Sequence, residues 1–455
     1  MLAPEDHTYT SLTMLPDISP SRLAAVPFDA RAARPGVKDG FGNLLDEETG
    51  YARGRILRSH VEEMRRFNYG QRLAAERLRL FGETSIGVFG GHAGDFSLSQ
   101  GDTRTWCEEW LGPSRMERQF QNAARIHLGG DDQARAALFN RTSAGIITAI
   151  AALAGHGIVM SLLPPEGRSH ASVRRGAALA NARLHEHTAQ QNWQQSIERV
   201  RPDLVVITPV TSDLDILRDD GMLNMIQIAH AVGAVVLVDD AYGARLRPAL
   251  CDGVSALSLG ADLVITSCDK AGLHGPRAGL MGGDAAAITT LQARSREWGT
   301  DARAPTMAGV LRALQAYTSL QLISEAACGK RLAEAVSHEL GAWVRHSPLG
   351  VMLDAEDLLR YLLMQRDMDA GFSAAVPCEA SAAVGMILLR EFGILTAHSH
   401  GDPGGSAALH LKPTSKSLAR TGGIVSVVQA LRESLKAVAA VIDQEDRLRE
   451  LILGE

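Results

Sequence analysis

The sequence predicts an α/β fold: a large domain on a mostly parallel sheet, followed by a smaller C-terminal α+β domain. Between about 120 and 320, short apolar runs alternate with amphipathic helical stretches. LVVIT (204–208), AVVLVDD (234–240), DLVIT (262–266) and GLMGG (279–283) show no polar alternation. Strands that are apolar on both sides belong to a sheet covered on both faces, the habit of parallel strands crossed by helices. After about 330 this rhythm changes to one long helix followed by short strands and helices. The length, 455 residues with 45% hydrophobic, exceeds one ordinary domain and supplies a large core.

Taken in order, the elements divide into three parts: 1–120, an N-terminal arm and helical segment; 121–325, the large α/β domain; and 326–455, the small domain. Residues 1 to about 50 are rich in Pro, Asp and Gly and read as an extended arm. Tyr51 to Phe81 has helical spacing and many arginines, among them Arg53, Arg58, Arg66 and Arg77. It reads as a solvated basic helix, with a nucleic-acid or partner surface as the alternative. FGGHAGDFS (89–97) is a glycine-rich loop carrying His92 and Asp95; it is either a tight turn or a cover over a substrate. Ala144 to Leu163 imitates a membrane span, but Gly155-His156-Gly157 interrupts it and Pro164-Pro165 closes it. A buried helix, a glycine turn and a buried strand explain it better. LNMIQIAHAVG is a helix stopped at Gly233. Beyond 325 the pattern gives a helix Glu325–Leu340, a strand near Gly350–Leu353 and a helix near Ala380–Phe392. The runs GILTAH and SAALHLKP and a closing helix Gly423–Ala440 follow.

A formal net charge of -6 gives no reason to expect nucleic acid or an anionic membrane as partner. Five dispersed cysteines without a CxxC pair read as reduced thiols of a cytoplasmic protein. The first twenty residues have acids where a secretory signal needs bases, and no apolar run.

The residues able to carry chemistry fall at strand ends. Asp239 and Asp240 close the run AVVLVDD, where α/β sheets build their sites. Period-two alternation puts them on opposite sides, so one of them, Asp239, should face a ligand; a capping acid on the surface is the alternative. Lys270 follows the next strand, among Thr266, Ser267, Cys268, Gly272, Gly275 and Gly279. Glycines allow close backbone approach to a ligand, and a lysine pressed into such a pocket loses its proton and attacks carbonyls. Arg141-Thr142-Ser143-Ala144-Gly145 opens the long apolar helix, where free N–H groups and hydroxyls form an anion cup. His170, in RSHAS, has no distinctive signal of its own. A lysine for an imine, an acid for a ring nitrogen, a flat side chain and a phosphate cup are the demands of pyridoxal chemistry.

The order TSAG, SHAS, VDDAYGA, GADLVITSCDK resembles that of fold-type I pyridoxal-phosphate enzymes, the aspartate aminotransferase superfamily. Bacterial ornithine/lysine/arginine decarboxylases carry V-D-E-A-H-G and G-A-D…S-T-H-K, similar to Val238–Gly243 and Gly260–Lys270. Bacterial selenocysteine synthase carries S-G-D-K…G-P-Q-A-G, similar to Ser267–Lys270 and Gly275–Gly279. The likeness covers roughly 135 to 320. It implies a transferase-like large domain and pyridoxal 5'-phosphate held by Lys270 as a Schiff base. It further implies that Asp239 pairs with the ring nitrogen, that His170 stacks on the ring, and that Thr142, Ser143, Ala144 and Ser267 hold phosphate. Thr211, after another strand, would lie near the ring hydroxyl. A homodimer with shared active sites is implied as well. Asp269 and Tyr242 depart from the decarboxylase pattern, where histidines stand.

Aminotransferases of this superfamily usually hold the substrate carboxylate with an arginine in a late strand of the small domain. SAALHLKPTSKSLAR offers His410 and Lys412 there instead, and a lysine makes no bidentate fork. Lys412 is therefore either a substrate contact, with His92 and Tyr242, or a solvated strand-end lysine. The resulting expectation is an enzyme acting on an amino acid or amino-acid conjugate by decarboxylation or β/γ-elimination or replacement. Transamination is the alternative within the chemistry, and a catalytically silent binding protein the alternative outside it.

Overall fold

A computed structural model describes residues 37–93, 96–165, 167–401 and 405–455. Its strands are β1 (Gly87–Val88), β2 (Arg135–Phe139), β3 (Ile158–Leu163), β4 (Arg183–Thr188), β5 (Leu204–Ile207) and β6 (Val235–Asp239), then β7 (Leu263–Ser267), β8 (Gly279–Gly283), β9 (Arg345–Ser347), β10 (Gly350–Leu353), β11 (Ile394–Leu395) and β12 (Leu409–Leu411). Seven of them form the central sheet in the order β2-β8-β7-β6-β5-β3-β4. The pairs β3–β4, β3–β5, β5–β6 and β6–β7 are parallel, and β8 runs antiparallel to both its neighbours.

The unbroken apolar runs are explained by two cores, one on each face. Val205, Ile207, Val236, Val238 and Val264 pack into one. The intervening Leu204, Val206, Leu237, Leu263 and Ile265 pack into the other, with helix Thr142–Leu153. Alternation along each strand persists, but both sides are dry. The stretch that imitates a membrane span is that helix, a turn with Gly155 at φ 50, and β3. Among the described residues no helix is long and apolar enough to cross a membrane.

A third core collects the C-terminal part: Leu332, Val336, Val351, Leu353, Leu388 and Leu431. Helix Ser319–Leu340 packs there on the antiparallel sheet β9-β10-β12, with helices Pro377–Phe392 and Gly423–Ala439. The N-terminal segment joins this layer because β1 pairs in parallel with β11.

The arginine-rich helix is shorter than its spacing predicts, His60–Phe81, with Ser59 as N-cap. Residues before it form an irregular, bent strap: the N–H groups of Ile56 and Leu57 donate to Glu379 Oε1 at 2.7 and 2.6 Å. Nor is the helix simply solvated, since Glu62, Glu63 and Arg66 are buried. Most of the expected N-terminal arm lies outside the described residues.

Candidate active site

The carboxyl ends of β5, β6 and β7 open beneath the C-terminal layer, enclosing a cavity of about 190 Å³. Lys270 stands on the turn after β7, and that turn is fixed from several sides. Cys268 N–H donates to Ala278 O and Gly275 N–H to Cys268 O, both at 3.0 Å. Ala271 and Gly272 take left-handed conformations (φ 49 and 75) to reverse the chain. Arg245, fully buried, reaches under the turn and donates to the carbonyls of Ser267 (2.6 Å), Lys270 (3.2 Å) and Ala271 (3.2 Å). Burial lowers the proton affinity of the Lys270 amine, against the opposing pull of Asp269.

β6 delivers its two acids to different environments. Asp240 is buried in an ion pair with Arg247 at 2.7 Å, away from the cavity. Asp239 lines the cavity, is 3% exposed, and its Oδ1 has no hydrogen-bond partner. Burial pushes its carboxyl up to about 7; Lys270 opposes the shift and Asp240 adds to it. An orphaned buried oxygen on the same cavity wall as a lysine amine is the arrangement that a protonated ring nitrogen would complete.

Thr142 and Ser143 line the same cavity from the first turn of their helix. Thr142 Oγ1 and Ser267 Oγ share a hydrogen bond of 3.0 Å, so hydroxyls from two elements meet at one helix N-terminus. β8 approaches this turn closely: a Cβ on Gly279 would stand 2.7 Å from Thr142 Cα. Ala144 is not on the cavity wall. As third residue of the helix it offers its backbone position, while its side chain packs against the core on that face.

His170 lines the cavity and caps helix Ala171–Ala180. Its Nδ1 accepts from Ser172 N–H at 3.2 Å, which places the proton of a neutral ring on Nε2. Thr211 is on the wall, but its hydroxyl is tied into its own turn, donating to Asp215 at 3.2 Å. Thr208, directly after β5, also lines the cavity, and its Oγ1 has no partner. It is the better placed hydroxyl.

The loop after β1 crosses the site as a strand-like strap. His92 forms an antiparallel bridge with Lys270, Gly90 a parallel bridge with Lys412, and Ala93 N–H donates to Asp269 O at 2.6 Å. His92 is half-buried, and its buried Nδ1 has no hydrogen-bond partner; desolvation and neighbouring cations hold the ring neutral. Asp95 of the same loop lies outside the described residues. Lys412 is not a solvated strand-end residue: it is 6% exposed, and its Nζ donates to Tyr242 Oη at 3.3 Å. Lys270 and Lys412 both stand by the Tyr242 ring, 4.9 and 4.8 Å from its centre.

The cavity thus gathers Lys270, Asp239, His170, Thr142, Ser143, Thr211, Ser267, His92, Tyr242 and Lys412. Sequence reasoning missed Thr208, Arg245 and Arg66. Thr208 was legible as the last letter of LVVIT at a strand end. Arg66, buried on the cavity wall, is one of many similar arginines and carries no local signal. Among the described residues no group of His, Cys, Asp and Glu could hold a metal.

No protein-family model matches the chain. It is 34% identical over 402 residues to a "UPF0425 pyridoxal phosphate-dependent protein" of Methanothermobacter thermautotrophicus, covering 88% of this chain and 100% of that protein. A protein of the same description from Methanosphaera stadtmanae is 29% identical, covering 78% and 90%. Among solved structures, the chain resembles alanine–glyoxylate aminotransferase from Nostoc sp. (TM-score 0.54, 16% identity, covering 77% of this chain and 95% of that one). It similarly resembles histidinol-phosphate aminotransferase from Sinorhizobium meliloti in complex with pyridoxal-5'-phosphate (TM-score 0.54, 16% identity, covering 80% and 95%). At such identities these structures establish the fold, an α/β architecture with a mostly parallel sheet.

Proposed function

The chain belongs to the UPF0425 family of pyridoxal phosphate-dependent proteins, and from that premise we propose that it is an enzyme acting on an amino acid or amino-acid conjugate, with Lys270 as the amine that carries the cofactor. One observation carries this reading: a half-buried lysine and a buried carboxylate with an uncommitted oxygen share one cavity at the ends of adjacent strands. The carboxylate does not stabilise the fold, because its Oδ1 is buried without a hydrogen-bond partner.

Bound pyridoxal phosphate supplies an aldehyde that condenses with an amine and a ring that withdraws electrons from the substrate carbon. The chain's own residues do the rest. Lys270, with its proton affinity lowered, offers a neutral amine. Asp239 holds a proton at the ring nitrogen. Thr142, Ser143 and Ser267, with the backbone up to Ala144, hold the phosphate, and His170 covers one ring face. Thr208, whose hydroxyl is uncommitted, meets the ring hydroxyl, with Thr211 beside it on the wall.

Decarboxylation or β/γ-elimination or replacement is the reaction class we favour, because β12 leads to Lys412 where an aminotransferase would present an arginine fork. Transamination is the second reading, favoured by a specific observation: Arg66 reaches the cavity wall from the N-terminal helix and could meet a carboxylate there. A homodimer is part of the proposal, and light scattering on the purified protein tests it.

The deciding experiment is an absorbance spectrum after addition of pyridoxal phosphate. Wild type should gain a near-ultraviolet or visible band that borohydride bleaches, leaving the cofactor fixed on the Lys270 peptide; Lys270→Ala should gain none. A wild type without the band would make the chain a silent binding protein. Common amino acids added singly, with oxo acid, carbon dioxide and ammonia assayed, then separate transamination, decarboxylation and elimination.

A further inference from the structure

A second amine, and a buried one, stands in the same cavity as Lys270. Lys412 follows β12, and its backbone is clamped there: its N–H donates to Phe89 O at 2.9 Å, and Gly90 bridges to it. The loop packs on its side chain so closely that a Cβ on Gly91 would lie 2.6 Å from Lys412 Cδ. Its Nζ therefore has little freedom beside the Tyr242 ring, with its one hydrogen bond to Tyr242 Oη.

What surrounds that amine is a poor seat for a permanent ammonium. Among the described residues Lys412 forms no ion pair. The nearest favourable charge is Asp213, whose carboxylate is already engaged by His410 and Ser406. Lys270 acts on it as a like charge from across the ring, while Asp269 beside Lys270 answers that lysine. His92 and His410, the imidazoles around it, are neutral by burial. Two amines over one buried phenol ring cannot both keep their protons cheaply. A buried cation kept without a counter-ion serves no packing purpose that a methionine would not serve better.

From this geometry we propose that Lys412 is a second acid–base residue of the site, donating a proton to the substrate carbon in the cavity it shares with Lys270, with Tyr242 as its positioning residue. The proposal rests on Lys270 as cofactor carrier and adds the group that a lyase requires. In the step, the substrate's bond to its carboxylate breaks and carbon dioxide leaves; the electron pair left on that carbon takes a proton as an N–H bond of the Lys412 ammonium breaks and a C–H bond forms. The neutral amine then recovers its proton from water. Burial, with Lys270 adding to it, brings Lys412 down to about 7, where a general acid works best at neutral pH.

The test uses the full chain loaded with pyridoxal phosphate. Competitive acetylation with acetic anhydride, read by mass spectrometry on the Lys412 peptide, should show a midpoint near 7, against roughly 10.4 for an ordinary lysine. A midpoint above roughly 9 overturns the proposal. The borohydride-sensitive band is then titrated with pH in wild type, Lys412→Arg and Lys412→Met. Wild type should show a step in the neutral range that both variants lack, since one is permanently charged and the other never is. If Lys412 served only as a fixed positive charge, Lys412→Arg would titrate like wild type, and the proposal falls. A wild type that never acquires the band overturns the cofactor assignment instead, and acetylation still reads the Lys412 amine.

Discussion

Burial moves the Asp239 carboxyl from its ordinary value of 3.8 to about 7, and this has a consequence for the cofactor-free protein. The folded state holds this proton more tightly than the unfolded chain does. Stability should therefore fall as pH rises between about 4 and about 7, and stay flat above. Three units correspond to about 4 kcal/mol at most. Asp239→Asn keeps the shape and removes the ionisation, so above pH 7 it should unfold at a higher temperature than wild type, with the gap closing near pH 4. Equal pH profiles for the two proteins in a calorimeter would refute the buried, uncommitted carboxylate. The variant should at the same time weaken or abolish turnover, because an amide cannot hold a proton on a ring nitrogen. Asp239 and Lys270 were legible in the sequence because an acid or a lysine directly after an apolar run has one place to be, the carboxyl end of a buried strand. Arg66 and Arg245 were not, since each is one arginine among 46 basic residues and only tertiary packing buries it. Thr211 was placed on the right wall, but its hydroxyl is taken by Asp215, a local turn that strand position cannot reveal.

At the level of elements, the site depends on two close approaches. β8 passes the N-terminus of helix Thr142–Leu153 with only the hydrogen of Gly279 between them. Gly279→Ala must push backbone against backbone, at a cost of about 1–3 kcal/mol. It should lower the melting temperature and also the affinity for pyridoxal phosphate, because the residues displaced are those of the anion cup; a variant that melts early but binds normally would separate cup from strand. The other approach is Arg245 beneath the lysine turn. Arg245→Met strips donors from the buried carbonyls of Ser267 and Ala271, each costing about 1–3 kcal/mol when left unpaired, while the Lys270 carbonyl keeps the Leu273 N–H. Denaturant titration should show the loss. Arg245→Lys should not restore it, since a single ammonium cannot span the spread of acceptors that a guanidinium reaches. The interleaving of strands and helices was readable because both faces of the sheet are apolar. The reversed direction of β8 was not: an eleven-residue connection from Ser267 to Gly279 is fixed by its internal turns, and GLMGG reads the same either way. The strap at 51–59 was misread as helix because its backbone donors are satisfied by Glu379, more than three hundred residues away.

For the molecule as a whole, the cavity is where separately built cores meet. The two-faced sheet supplies Asp239, Lys270 and the cup, the C-terminal layer supplies Lys412 and His410, and the N-terminal segment supplies His92 and Arg66. None of these parts closes the site alone, so a molecule bound there touches all of them and binds the folded chain but not the unfolded one. Such a ligand stabilises by RT ln(1 + [L]/Kd), about 2.7 kcal/mol at a hundredfold excess over Kd. A chain of this length has an unfolding entropy that converts each kcal/mol into about one degree, so pyridoxal phosphate should raise the melting temperature by about 3 °C. Lys270→Ala, which keeps the cup but loses the covalent link, should keep only a small part of that rise, and free inorganic phosphate should mimic what it keeps. A rise that is the same in wild type and Lys270→Ala would mean that the cofactor's phosphate alone is recognised and that the lysine is a bystander. The parts should respond together, as one transition moving with ligand concentration, because the ligand spans them; two transitions of which only one moves would place the binding energy in the sheet alone.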